Sequence, residues 1–122
     1  MQSILICDDD PDIRAALKRT LRGYDVVEAG TSREAMALLE AHSFDALVSD
    51  YNLGPDETDG LELLMHAKVS HPDIVRFLVT GTRDLDIATR AVNEGCVHRY
   101  FLKPWDDHKL RAALVLELRT KA

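Results

Sequence analysis

Three short apolar stretches each stop at a residue able to do chemistry. Ser3-Ile4-Leu5-Ile6-Cys7 runs into Asp8-Asp9-Asp10, Asp45-Ala46-Leu47-Val48-Ser49 into Asp50, and Tyr100-Phe101-Leu102 into Lys103-Pro104. If these stretches are parallel strands of one sheet, their carboxyl ends share an edge that collects several carboxylates and one ammonium group. Two unit charges about 4 Å apart repel by roughly 4 kcal/mol at an effective dielectric of 20. Such an edge therefore needs a cation. Magnesium suits it, because Mg²⁺ takes hard oxygen ligands and binds through one or two carboxylates plus phosphate oxygens. With the charge balanced, a carboxylate oxygen can attack phosphorus to give an aspartyl phosphate, and Lys103 stabilises the transferring group. Thr80 offers a hydroxyl to a phosphoryl oxygen, and Gly81 keeps the approach open beside it.

The elements that must position these groups alternate along the chain. Asp10-Pro11 is an N-cap acceptor followed by proline at the first helical position. Ile13, Ala16, Leu17 and Leu21 then recur at helical spacing, and Gly23 is placed to end the helix. A second strand around Asp25 to Ala29 precedes Thr31-Ser32-Arg33-Glu34, which has capping-box spacing, and Ala35, Leu38 and Leu39 form the next stripe. A polar loop through Gly54-Pro55 and Asp59-Gly60 leads to Leu61, Leu64, Met65 and Val69, expected as the buried stripe of a third helix ending near His71-Pro72. Ile74 to Val79 reads as a buried fourth strand. Ile87, Ala88, Ala91 and Val92 make a fourth helix closing at Gly95; Val97 to Leu102 is the fifth strand, and Leu110, Ala113, Leu114 and Leu118 mark the fifth helix. Five such units with right-handed crossovers predict an α/β fold, a doubly wound five-stranded parallel sheet with five helices on its two faces.

The 122 residues fit one domain spanning 1–122. An apolar share of 46% and a charged share of 30% are ordinary for a globular protein. No apolar run reaches the roughly 18 residues of a membrane span, and no signal-peptide pattern opens the chain, so a cytoplasmic location without a membrane partner is expected. Cys7 and Cys96 lack a partner motif, which argues for reduced thiols. A net charge of −6 opposes direct nucleic-acid binding by this domain.

Together the strand-end motifs carry a resemblance over essentially the whole chain. Ile4 to Asp10, Ser49-Asp50-Tyr51-Asn52-Leu53, Val79-Thr80-Gly81 and Phe101-Leu102-Lys103-Pro104-Trp105 resemble the receiver domain of bacterial two-component response regulators. Strand order 2-1-3-4-5 is expected. It is the order of flavodoxin-like folds, of which receivers are one type, and so rests on the resemblance as well as on the pattern. The resemblance implies that Asp50 accepts a phosphoryl group from a phosphohistidine on a sensor histidine kinase or histidine phosphotransfer protein. It implies direct Mg²⁺ ligation by Asp9, Asp50 and the Asn52 carbonyl, with Asp8 acting mainly through coordinated water. Lys103 would pair with the phosphoryl group, Thr80 and Tyr100 would form a switch beside Gly81, and the Lys103-Pro104 bond would be cis. The domain would be a signalling switch that catalyses only its own phosphorylation and dephosphorylation. It would alter the surface of helix 4, strand 5 and helix 5 toward an output domain or effector beyond residue 122, or toward a second copy in a phosphorylation-dependent homodimer. Two departures stand out: the loop from Asp50 to Gly60 is longer than the family pattern, and Gly81 replaces a more frequent alanine.

Plainer roles compete for several residues. Asp10 reads as a helix cap and not as a ligand, Asp56, Glu57 and Asp59 as solvated loop charges, and Trp105 as packing at the base of helix 5. His66 and His71 read as surface residues with no shared helical face to suggest zinc. As whole functions, a magnesium phosphohydrolase of the haloacid-dehalogenase type matches the Asp8 to Asp10 run superficially, but Pro11 begins a helix at once and Asp50 would lack a purpose. A flavodoxin-like cofactor binder would offer hydroxyls and glycines after strand 1, where this chain offers carboxylates.

Overall fold

The computed structural model describes residues 2–53 and 59–121. Residues 54–58 lie outside that description, and with them the expectations placed on Gly54, Pro55, Asp56 and Glu57. Strands at Ser3–Cys7 (β1), Asp25–Ala29 (β2), Ala46–Ser49 (β3), Val75–Thr80 (β4) and Arg99–Leu102 (β5) alternate with five helices. These are Pro11–Thr20 (α1), Ser32–Ala41 (α2), Gly60–Ser70 (α3), Leu85–Asn93 (α4) and Asp107–Lys121 (α5). All pairings are parallel, in the order β2-β1-β3-β4-β5.

Side chains alternate across the sheet, so each strand feeds two cores. Leu5, Cys7, Leu47 and Leu78 pack against α2, α3 and α4 through Ala35, Leu39, Leu63, Leu64, Ala67, Ala88 and Ala91. Ile4, Ile6, Val48, Phe77 and Val79 face α1 and α5 through Leu17, Leu21, Leu110, Ala113, Leu114 and Leu118. The central strands β1, β3 and β4 are buried on both faces, as continuous apolar runs require.

Local signals set the helix starts. The Asp10 carboxylate accepts from the Asp12 N–H at 2.8 Å, and Thr31 Oγ1 accepts from the Glu34 N–H at 3.1 Å. Asp59, expected as a solvated charge, caps α3 by accepting from the Glu62 N–H at 2.9 Å. Gly23 and Gly95 carry positive φ, of 96° and 78°, in the turns after α1 and α4.

The expected stripe on α3 needs correction. Met65 is 40% exposed and Val69 75% exposed, while Leu63, Leu64 and Ala67 are fully buried. This helix is apolar on most of its circumference, so spacing alone fits two faces. Its rotation is set where it begins, at Gly60, which is packed against the backbone of Asp50 and Tyr51.

Candidate functional site

Strand register delivers the site. Cys7 pairs with Ser49, Ser49 with Leu78, and Thr80 with Leu102. The residues that follow extend the same ladder: Asp50 N–H donates to the Cys7 carbonyl at 3.0 Å, Asp8 N–H to the Ala29 carbonyl at 3.2 Å, and Lys103 N–H to the Thr80 carbonyl at 2.8 Å. Asp8, Asp50 and Lys103 therefore emerge at one edge from β1, β3 and β5, with Thr80 at the end of β4 between the last two. The winding direction reverses there, on either side of β1 and β3, which is where open α/β sheets bind ligands.

Lys103 is the hub. Its Nζ donates to Asp8 Oδ2 at 2.9 Å and to Asp50 Oδ2 at 3.0 Å. The Lys103–Pro104 peptide bond is cis. Each carboxylate keeps its second oxygen on backbone: Asp8 Oδ1 accepts from the Asp10 N–H at 2.9 Å and Asp50 Oδ1 from the Tyr51 N–H at 2.7 Å. Asp8 and Asp50 are buried, and Asp9 is exposed beside them. Burial pushes the Asp8 carboxyl above the usual carboxylate range, although Lys103 opposes the shift. Lys103 moves the other way relative to its own burial: desolvation would lower it, but its bonds to Asp8 and the charge of Asp50 prevail and raise its pKa.

Asp8, Asp9 and Asp50 each bring a carboxylate oxygen within 4.8 Å of the other two. That all-oxygen, anionic donor set fits Mg²⁺ and does not favour softer metals. A cleft of about 320 Å³ opens over it, lined by the expected Asp8, Asp9, Asp50, Asn52, Thr80, Gly81 and Lys103 together with Asp10, Arg83 and Asp84. Arg83 and Asp84 escaped the sequence reading because they lie on a short 3₁₀ turn at Thr82–Asp84, which has no apolar periodicity to mark it. Thr80 Oγ1 lies 3.4 Å from Asp84 Oδ2 and can donate to it.

Tyr100 does not line this cleft. It pairs with Leu78 and is half-buried against the core beneath α4. Trp105 packs partly buried on the opposite core, its indole N–H donating to Thr20 Oγ1 at 2.9 Å, which ties the start of α5 to the end of α1. The buried Arg76 was also not foreseen: its guanidinium donates to the carbonyls of Cys96 and Ile74, each at 2.9 Å.

Residues 4–115 match the response regulator receiver domain family. The chain belongs to that family. Over 122 residues this receiver domain is 34% identical to the response regulator protein PilR of Pseudomonas aeruginosa, covering 98% of this chain and 27% of PilR. It spans about a quarter of the length of the curated relatives it matches. Among solved structures it resembles the signal receiver domain of an HD domain-containing protein from Pseudomonas fluorescens, with TM-score 0.88, 34% identity, and coverage of 98% of this chain and 88% of that one. A CheY-like receiver domain protein from Methanospirillum hungatei gives TM-score 0.88 and 32% identity, over 99% and 96% of the two chains. The phosphohydrolase alternative is not favoured by these likenesses. Receiver domains generally act as signalling switches and bind Mg²⁺ at an acidic pocket, which Asp8, Asp9 and Asp50 supply here. Among the described residues no helix is long and apolar enough to cross a membrane.

Proposed function

We propose that residues 1–122 form a phosphoaccepting switch in which Asp50 takes a phosphoryl group from a phosphohistidine on a sensor histidine kinase or histidine phosphotransfer protein. The observation that carries this reading is the Lys103 ammonium shared between Asp8 and Asp50 at the carboxyl edge of the sheet. A carboxylate oxygen of Asp50 forms the new O–P bond as the P–N bond to the donor imidazole breaks. The electron pair returns to the imidazole, which takes up a proton. Lys103 keeps its contact with Asp8 and turns its remaining donors toward the phosphoryl oxygens. Asp9, Asp50 and the Asn52 carbonyl would hold Mg²⁺, with Asp8 acting through water, and the ion would supply charge neutralisation for an incoming anion.

Thr80 follows the phosphoryl group by giving up Asp84 as its acceptor, and Gly81 frees the backbone beside it. That movement, with Tyr100, biases α4, β5 and α5 between two arrangements. Exposed Leu85 on α4 and Leu116 on α5 give that surface apolar anchors for an output domain, an effector or a second copy. A cytoplasmic setting accords with such partners.

Acetyl phosphate with Mg²⁺ should label the protein once, giving a hydroxylamine-labile acyl phosphate by intact mass, and Asp50→Asn should take no label. Undiminished labelling of that variant would place the acceptor elsewhere. Lys103→Ala should retain Mg²⁺ binding yet lose the phosphorylation-dependent change in α4, β5 and α5 seen by amide hydrogen exchange.

A further inference from the structure

Outside the acidic cleft, the described residues hold one other cluster with ligand chemistry. Glu40 stands near the end of α2, His66 on α3, and His71 caps the carboxyl terminus of α3. The helices run opposite to the strands, so this cluster lies at the amino-terminal edge of the sheet, at the far end from Asp50. His66 Nε2 is 3.2 Å and His71 Nε2 3.6 Å from the same oxygen, Glu40 Oε1, and all three atoms fall within 4.8 Å of one another.

We propose that Glu40, His66 and His71 bind a Zn²⁺-type transition-metal ion that clamps α2 to α3. Ligand atoms about 2.0–2.1 Å from a tetrahedral Zn²⁺ stand about 3.3 Å apart, close to both nitrogen–oxygen separations here. The nitrogen presented is Nε2 in both rings. The rings meet edge to face, with centroids 6.4 Å apart, so neither covers the other. His71 Nε2 is withdrawn from solvent, and among the described residues it has no hydrogen-bond partner. A ring nitrogen lone pair facing a carboxylate oxygen at 3.6 Å is repulsive unless a cation or proton lies between them, and an orphaned buried nitrogen calls for such a group.

The donors also select the ion. Two imidazoles and one carboxylate favour Zn²⁺, Cu²⁺ or Ni²⁺, whereas the all-oxygen cleft around Asp50 favours Mg²⁺. The two sites therefore sort cations by chemistry. Access is open, with Glu40 63% and the histidines about one-third exposed. Beside His71 lies a cleft of about 200 Å³, lined also by His42 and Asp73.

The test is calorimetric titration of metal-stripped, tag-free protein with Zn²⁺ in saturating Mg²⁺, and of the same protein with Co²⁺ by visible absorption. A single equivalent should bind, Co²⁺ should give the intense bands of a tetrahedral nitrogen–oxygen site, and Cys96→Ser should change nothing. His66→Gln, His71→Gln and Glu40→Gln should each weaken binding by about tenfold or more. In the unaltered protein, Zn²⁺ should shift the imidazole proton resonances of His66 and His71 and leave those of His98 and His108 in place. No Zn²⁺ binding in the presence of Mg²⁺, wild-type affinity in the glutamine variants, or unmoved His66 and His71 resonances would each overturn the proposal and leave an ordinary hydrogen-bonded helix contact.

Discussion

A β-carbon on residue 60 would overlap the backbone carbonyl oxygen of Asp50. Gly60 N–H donates to the Tyr51 carbonyl at 2.7 Å, so the first residue of α3 is pressed against the chain that carries the proposed acceptor. The two residues lie at opposite ends of the loop that follows β3. Their contact links the direction of Asp50 to the seating of α3.

Gly60→Ala should therefore cost about 1–3 kcal/mol in urea unfolding, as overpacking against backbone does, and slow labelling by acetyl phosphate. Gly81→Ala supplies the contrast. An added β-carbon at that position meets nothing within 4 Å, so stability should stay within about 0.5 kcal/mol of the parent. Equal losses in the two variants would dissociate Gly60 from this contact.

Asp8→Asn should stabilise the metal-free protein at neutral pH by about 0.5–2 kcal/mol. The amide oxygen still accepts from the Asp10 N–H, the NH2 that replaces Oδ2 turns the Lys103 ammonium wholly to Asp50, and one buried negative charge is gone. Added Mg²⁺ should reverse the ranking, since it stabilises the parent more than a variant with fewer anionic donors. Thermal unfolding with and without Mg²⁺ reads both effects, and a variant less stable than the parent without metal would contradict the repulsion argument.

His98 should contribute an acid-side loss of stability. Its Nδ1 accepts from the Arg76 N–H at 3.0 Å, and partial desolvation, reinforced by the Arg76 guanidinium, holds its pKa below the ordinary imidazole value. With the folded pKa depressed, this contribution is complete above the unfolded value and is lost as pH falls through the folded one. The stability of the parent relative to His98→Asn should decline as pH falls below about 7. Parallel curves would exclude the contribution.

Cys7 should resist alkylation in the folded state. Burial, reinforced by the Asp8 charge, pushes its thiol up to about 12, so almost no thiolate exists near neutrality. Cys96 is only half-buried and should react first with iodoacetamide, with Cys7 labelled only after urea is added. Mass mapping of the modified peptides distinguishes the two, and early labelling of Cys7 would contradict its burial.

Much of the site was legible because its residues sit where local patterns end. Asp8, Asp50, Thr80 and Lys103 each terminate an apolar run, and a parallel α/β sheet places all such ends on one edge. Asp10 and Thr31 announced their helices through capping chemistry, which acts within three residues of chain. Arg83 and Asp84 gave no such signal, lying in a turn without periodicity, and Asp59 was hidden by a run of neighbouring loop charges.

What the sequence determined by itself was the succession of strands and helices and the identity of the charged residues at the strand ends, because those depend on side-chain period and on hydrogen bonds between near neighbours. Tertiary structure alone decided the face of α3 that is buried, the placement of Tyr100 away from the cleft, the burial of Arg76 on carbonyl oxygens, and the meeting of Glu40 with His66 and His71. Each of these depends on how one element is rotated against another. That rotation is fixed by close packing between residues distant in the chain, such as Gly60 against Asp50, and spacing along a single helix cannot encode it.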